Sequence, residues 1–144
     1  MTTGRQPWAH WIADETILML YTEGIRRWGG SESEPISGCI DAALGAAYNA
    51  ELYAPESEQE EFIQGLLFAC YLLFYLATKH CYTDGNKRIA WACMTFVLLN
   101  FGLTLEATED EAVEFCLRVA SGGIKSGSAV TSWVYPRLTP IAEH

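Results

Sequence analysis

Most of the chemistry this sequence offers lies in one short run, His80-Cys81-Tyr82-Thr83-Asp84-Gly85-Asn86-Lys87-Arg88. The apolar run Gly65 to Ala77 precedes it and another begins at Ile89, so it reads as a loop between two buried helices, the second opening near Asn86. A helix start presents free backbone N–H groups and the positive end of the dipole, and both attract anions. Gly85 removes side-chain bulk there, while Lys87 and Arg88 add charge in the first turn. Cations at that end oppose the dipole by about 0.3–1 kcal/mol, a placement that makes sense when a phosphate is the guest. Asp84 is the only carboxylate of the loop, and one carboxylate beside a phosphate suits Mg2+ held between them. His80 is the one nearby group suited to proton transfer at neutral pH.

Each residue also has a plainer reading. A lone histidine at a helix end is commonly a cap, Asp before Gly is a common turn residue, and Lys-Arg is often a solvated face. The ordered combination is what favours a nucleotide site. The adjacent His80-Cys81 pair does not point to a cysteine nucleophile, because sequence neighbours rarely face each other and no orienting partner stands near. A transition-metal site at His80 and Asp84 lacks further ligands.

The elements that must position this loop are helical throughout. Asp14 and Glu15 open a first helix with Ile17, Tyr21, Ile25 and Trp28 on one face, ended by Gly29-Gly30. A second runs from about Ile36 to Tyr48, with Ile40, Ala43, Leu44 and Ala47 inward, and Glu51 to Pro55 reads as a short extended flap. The third, from near Ser57 to about Thr78, is apolar nearly all round and therefore central. A fourth spans Asn86 to Phe101. A capping box, Thr108 with Glu111, starts a fifth that ends at Gly122-Gly123, and a sixth covers about Ser128 to Leu138, weakened by Pro136. The spacing predicts an all-α bundle with at most one short hairpin or flap, as a single domain over 1–144 with its core at about 14–138.

The net charge of −9 argues against gripping a nucleic-acid backbone over a wide face. Lys79, Lys87 and Arg88 form a local positive patch that suits a small anion better than a polymer. The five cysteines are odd in number and none sits at CxxC spacing, so neither a zinc site nor a redox pair is indicated. Four lie in apolar runs, where Cys behaves as a small hydrophobe. That usage fits a reducing, cytoplasmic setting. Met1 to Trp11 has no apolar core of the signal-peptide kind. The apolar run Gly65 to Ala77 has 13 residues, short of the roughly 20 that span a bilayer, so no membrane role is expected.

The loop also resembles a known motif. His80-x-Tyr82-x-Asp84-Gly85-Asn86-Lys87-Arg88 is similar to the Fic motif, HxFx(D/E)GNGRxxR, and closer still to its death-on-curing (Doc) variant, in which Lys replaces the second Gly. Arg27-Trp28-Gly29-Gly30 resembles the turn after the first Doc helix. Glu51-Leu52-Tyr53 sits at the place of the family's substrate-binding flap, and Asn100-Phe101-Gly102 at the end of its fourth helix. The likeness extends over about residues 14 to 138. It implies ATP and Mg2+ as cofactors, His80 as the base that deprotonates a target hydroxyl, and Asp84 as the Mg2+ ligand. By the same resemblance Gly85, Asn86, Lys87 and Arg88 bind the nucleotide phosphates, and Tyr82 takes the place of an inward-packing Phe.

Two departures, Trp91 in place of the final Arg and Lys87 in place of Gly, point toward the Doc type. The implied activity is phosphate transfer from ATP to a Thr or Ser of another protein, with elongation factor Tu the expected target. Two alternatives stay open: AMP transfer to a protein hydroxyl, and a non-catalytic relative that serves as a binding partner. Many Fic proteins silence themselves through a helix with (S/T)xxxE(G/N). The only Glu-Gly or Glu-Asn pair here is Glu23-Gly24, preceded at the Ser/Thr position by Met19, so control is expected in trans from an antitoxin.

Overall fold

Residues 6–50 and 58–141 are described by a computed structural model, and the expected flap at Glu51 to Pro55 lies outside them. Among the described residues the helical spacing becomes six α-helices: α1 (Asp14–Trp28), α2 (Cys39–Asn49), α3 (Glu58–Lys79), α4 (Asn86–Asn100), α5 (Glu109–Ala120) and α6 (Gly127–Val134). The chain is all-α apart from two three-residue strands, β1 (Leu103–Leu105) and β2 (Leu138–Pro140), which pair antiparallel with Thr104 opposite Thr139.

α3 is the axis of the bundle and packs against α2, α4, α5 and α6. Between Glu60 and Lys79 it is long and apolar enough, by composition, to cross a membrane, so the 13-residue run understated its hydrophobic length. Its apolar side chains are instead spent on the core. Phe68, Ala69, Cys70, Leu72, Leu73, Leu76 and Ala77 are all buried, and each large one contributes about 1.5–3 kcal/mol. Trp8, Trp11 and Ile12 are buried too. The core therefore begins before residue 14, because a turn ahead of α1 folds two indoles inward.

Other expectations need correction. α2 starts at Cys39, not Ile36: Gly38 takes a left-handed φ of 77°, and the Ile36 N–H is already donated to the Cys81 carbonyl at 2.8 Å. α6 stops at Val134 rather than running to Leu138. Pro136 offers no N–H to continue the helix, and the chain tightens into a 3-10 turn at Tyr135–Arg137 before leaving as β2. The small sheet is not a hairpin, since α5 and α6 lie between its strands. Trp28 is 59% exposed, with the Arg27 guanidinium 4.9 Å above its ring.

Candidate active site

His80 follows directly on α3 and has φ 53°, the one positive φ outside glycine among the described residues. It is exposed, while Cys81 and Tyr82 after it are buried, so the histidine stands out between a packed helix and two core anchors. The Tyr82 ring lies flat on Tyr21 of α1, centroids 3.8 Å apart at 9°. Burial, helped by the neighbouring Tyr21, pushes the Tyr82 phenol up to about 12, which keeps it neutral and packed as the Phe it replaces would be. Asn86 then closes the loop. Its Oδ1 accepts the Tyr82 N–H at 2.9 Å, and its Nδ2 donates to the Tyr82 carbonyl at 2.8 Å.

The segment from Gly29 to Gly38 forms a strap along the other side of the loop. The Ser31 N–H donates to Asp84 Oδ2 at 3.2 Å, and the Thr83 N–H donates to Ser33 Oγ at 3.1 Å. Tyr21 Oη accepts the Ser33 N–H at 2.9 Å. A Cβ on Gly30, whose φ is 114°, would stand 2.6 Å from Asp84 Oδ2. Glycine is required there because the carboxylate approaches so closely. Arg88 fastens the strap's start to α1: its Nη1 donates to the carbonyls of Gly24 at 3.0 Å and Gly29 at 2.8 Å.

At the centre is the start of α4. Gly85 is its N-cap in a left-handed conformation, φ 82°, and no side chain caps the helix. The first helical bond runs from the Ile89 N–H to the Gly85 carbonyl. The N–H groups of Asn86, Lys87 and Arg88 therefore have no intrahelical acceptor, which is the donor set an anion needs. Asp84 borders them, its Oδ1 accepting the Gly85 N–H at 2.8 Å. Its exposed carboxylate keeps lone pairs for a cation. No three His, Cys, Asp or Glu residues gather into a metal cage among the described residues. A divalent ion here fits as Mg2+ ordinarily binds, on one carboxylate with phosphate and water completing the shell.

The structure thus brings His80, Asp84, Gly85, Asn86, Lys87 and Arg88 onto one loop and helix start. It also divides their labour. The Asn86 side chain and the Arg88 Nη1 are committed to protein carbonyls and N–H groups, whereas Lys87 is exposed and His80 projects outward. Trp91, at the place of the motif's last Arg, meets Trp133 edge-on at 6.3 Å, and Trp133 stacks on Phe115 at 3.9 Å. Glu23 pairs with Arg26 on its own helix.

One expectation fails here. Cys39 and Cys81 form a disulfide across 42 residues of sequence, although no redox pair was expected. Their spacing carries no local signal, and only the packing of α2 against the loop brings them together. Cys70, Cys93 and Cys116 are free and buried, as core hydrophobes should be. Burial pushes all three thiols up to about 12, which leaves them poor nucleophiles. Tyr21, Ser31 and Ser33 also help build the site, and sequence gave no sign of it beyond the neighbouring Gly29-Gly30. An apolar cleft of about 350 Å³ opens elsewhere, between α1, α4 and β1, and no motif residue lines it.

A solvent-facing histidine and an uncapped helix start, with one exposed carboxylate between them in the chain, can take up a proton and bind an anion. A model of the Fic/DOC family matches residues 11–98, more than half of the chain and the stretch from before α1 into α4. The chain belongs to the Fic/DOC family. Enzymes of this family are generally transferases that act on protein hydroxyls, using ATP and a divalent metal. No curated protein matches the chain.

Proposed function

We propose that this chain is a Doc-type protein phosphotransferase that moves the terminal phosphate of ATP to a Ser or Thr hydroxyl of a cytoplasmic target, a translation factor such as elongation factor Tu. The observation that carries the choice is Lys87, next to Asn86 at the uncapped start of α4. Where AMP-transferring relatives have a bare glycine, a long cationic side chain fills space and adds charge. That favours a nucleotide turned about, with its terminal phosphate presented to the acceptor. Trp91 supports the same reading, because an indole packed on Trp133 supplies no guanidinium for phosphate.

In this reading His80 accepts the proton of the target hydroxyl as the oxygen attacks. The N–H groups of Asn86, Lys87 and Arg88 hold phosphate oxygens, and the Lys87 ammonium offsets charge that builds on them. Asp84 would hold Mg2+, which supplies charge neutralisation when bound. Most of the acceleration in such transfers comes from positioning and electrostatics, and this loop is built for both. Met19 stands where a silencing helix would carry Ser or Thr before Glu23, so in this reading control comes in trans from a small antitoxin.

Expression of the intact chain in a bacterium tests the reading. Growth should stop, and His80→Ala should abolish the arrest while the protein remains folded by circular dichroism. Equal toxicity from a folded His80→Ala chain contradicts the catalytic role.

A further inference from the structure

Cys81 is the residue after His80 and is almost wholly buried, while Cys39, its disulfide partner, opens α2 and is half-buried. The Cys81 carbonyl also accepts the Ile36 N–H at 2.8 Å, so Cys81 is tied to the start of α2 by a covalent bond and to the strap by a hydrogen bond. His80 lies between this anchor and the end of α3, where Ala77 is fully buried. The chain turns from α3 into α4 over residues 80–85, and His80 starts the turn at φ 53°. A β-carbon disfavours that conformation, His less than most residues, and neighbours held in place favour it. Opening the disulfide removes the covalent tether and leaves burial and the Ile36 bond to hold Cys81, which widens the range of backbone angles open to His80.

We propose that the Cys39–Cys81 disulfide is a redox-operated positioning bond for His80, which holds the histidine at the site when closed and slows group transfer when a cellular dithiol opens it. The inference rests on His80 acting as the base in the function proposed above. Chemically, a thiolate of the dithiol attacks Sγ of Cys39, the less buried of the two residues. The S–S bond breaks, and Cys81 leaves as a thiolate that takes up a proton. The second thiolate of the reductant displaces Cys39, which is protonated in turn, and the reductant departs as a cyclic disulfide. Two electrons pass to the protein.

The test uses the full-length chain with dithiothreitol as the dithiol. Alkylation of the unfolded, air-oxidised chain should modify three cysteines, since five are present and two are paired. Modification of all five overturns the proposal. Reduction should lower the rate of transfer to protein roughly tenfold or more, the scale of a small misplacement of a reacting group. Nucleotide affinity should be unchanged, and reoxidation should restore the rate. Cys39→Ser should stay at the low rate and ignore the reductant, and the reversal on wild-type chain stands even if that variant misfolds. Equal rates in both redox states overturn the proposal. The NMR signals of the His80 amide and imidazole read the bond without any activity. Signals that move on reduction and return on oxidation uphold it, and superimposable spectra overturn it. Absence of transfer in both redox states counts against the proposed function and leaves this NMR result to decide the positioning role.

Discussion

Arg88 shows how one residue type serves two different needs. The family resemblance gives it phosphate, yet its Nη1 sits on the carbonyls of Gly24 and Gly29, where α1 ends. The C-terminal end of a helix carries partial negative charge and open carbonyls, so a guanidinium there is favourable. Arg88→Ala should lower stability by roughly 2 kcal/mol, the usual loss for hydrogen bonds to a charged donor, and loosen the strap that holds Asp84. Arg88→Lys should recover part of that loss. Urea unfolding beside nucleotide titration separates the two roles: unchanged stability with weakened nucleotide binding would assign Arg88 to phosphate alone. Sequence nominates His80, Asp84 and Lys87 for chemistry through residue type and order. It did not show that Asn86 and Arg88 spend side-chain groups on the loop itself, since their partners lie in backbone that only folding brings near.

Elements bounded by their own residues were readable, and those bounded by distant ones were not. α5 is of the first kind. Thr108 Oγ1 accepts the Glu111 N–H at 3.1 Å, and Glu111 Oε1 in turn accepts the Thr108 N–H at 2.8 Å. The capping box is therefore formed as its spacing predicts. Thr108→Ala should cost about 1 kcal/mol, measured as a fall in the urea midpoint at unchanged slope. An unchanged midpoint would mean that packing alone fixes the start of α5. α2 and α6 are of the second kind. A bond from Ile36 to Cys81 delays the start of α2, and the pairing of β2 with β1 takes the chain past α6. Three-residue strands separated by two helices leave no local pattern to find.

Across the whole molecule the acidic balance, a net charge of −9, makes carboxylate partners matter for stability. The Thr108 backbone N–H, then its hydroxyl, holds the Glu111 carboxyl below its ordinary 4.5. The Arg26 side chain does the same for Glu23. Both groups have folded values below their unfolded ones, so the stability they add is fully present above about pH 4.5 and is lost as pH falls through the lowered values. Thermal melts should show wild-type chain losing more stability than Glu111→Gln below that pH, since the amide keeps the reach-back bond without titrating. Parallel curves would rule out a contribution from the Glu111 charge. Isotope placement decides which group the site transfers. Purified chain is incubated with a bacterial protein extract and ATP labelled in either the γ- or the α-phosphate, and transfer to protein is counted. γ-Label should appear on a protein band, α-label should not, and neither should appear with His80→Ala. Transfer of α-label would make the chain an AMP transferase in spite of Lys87, and contradict the account.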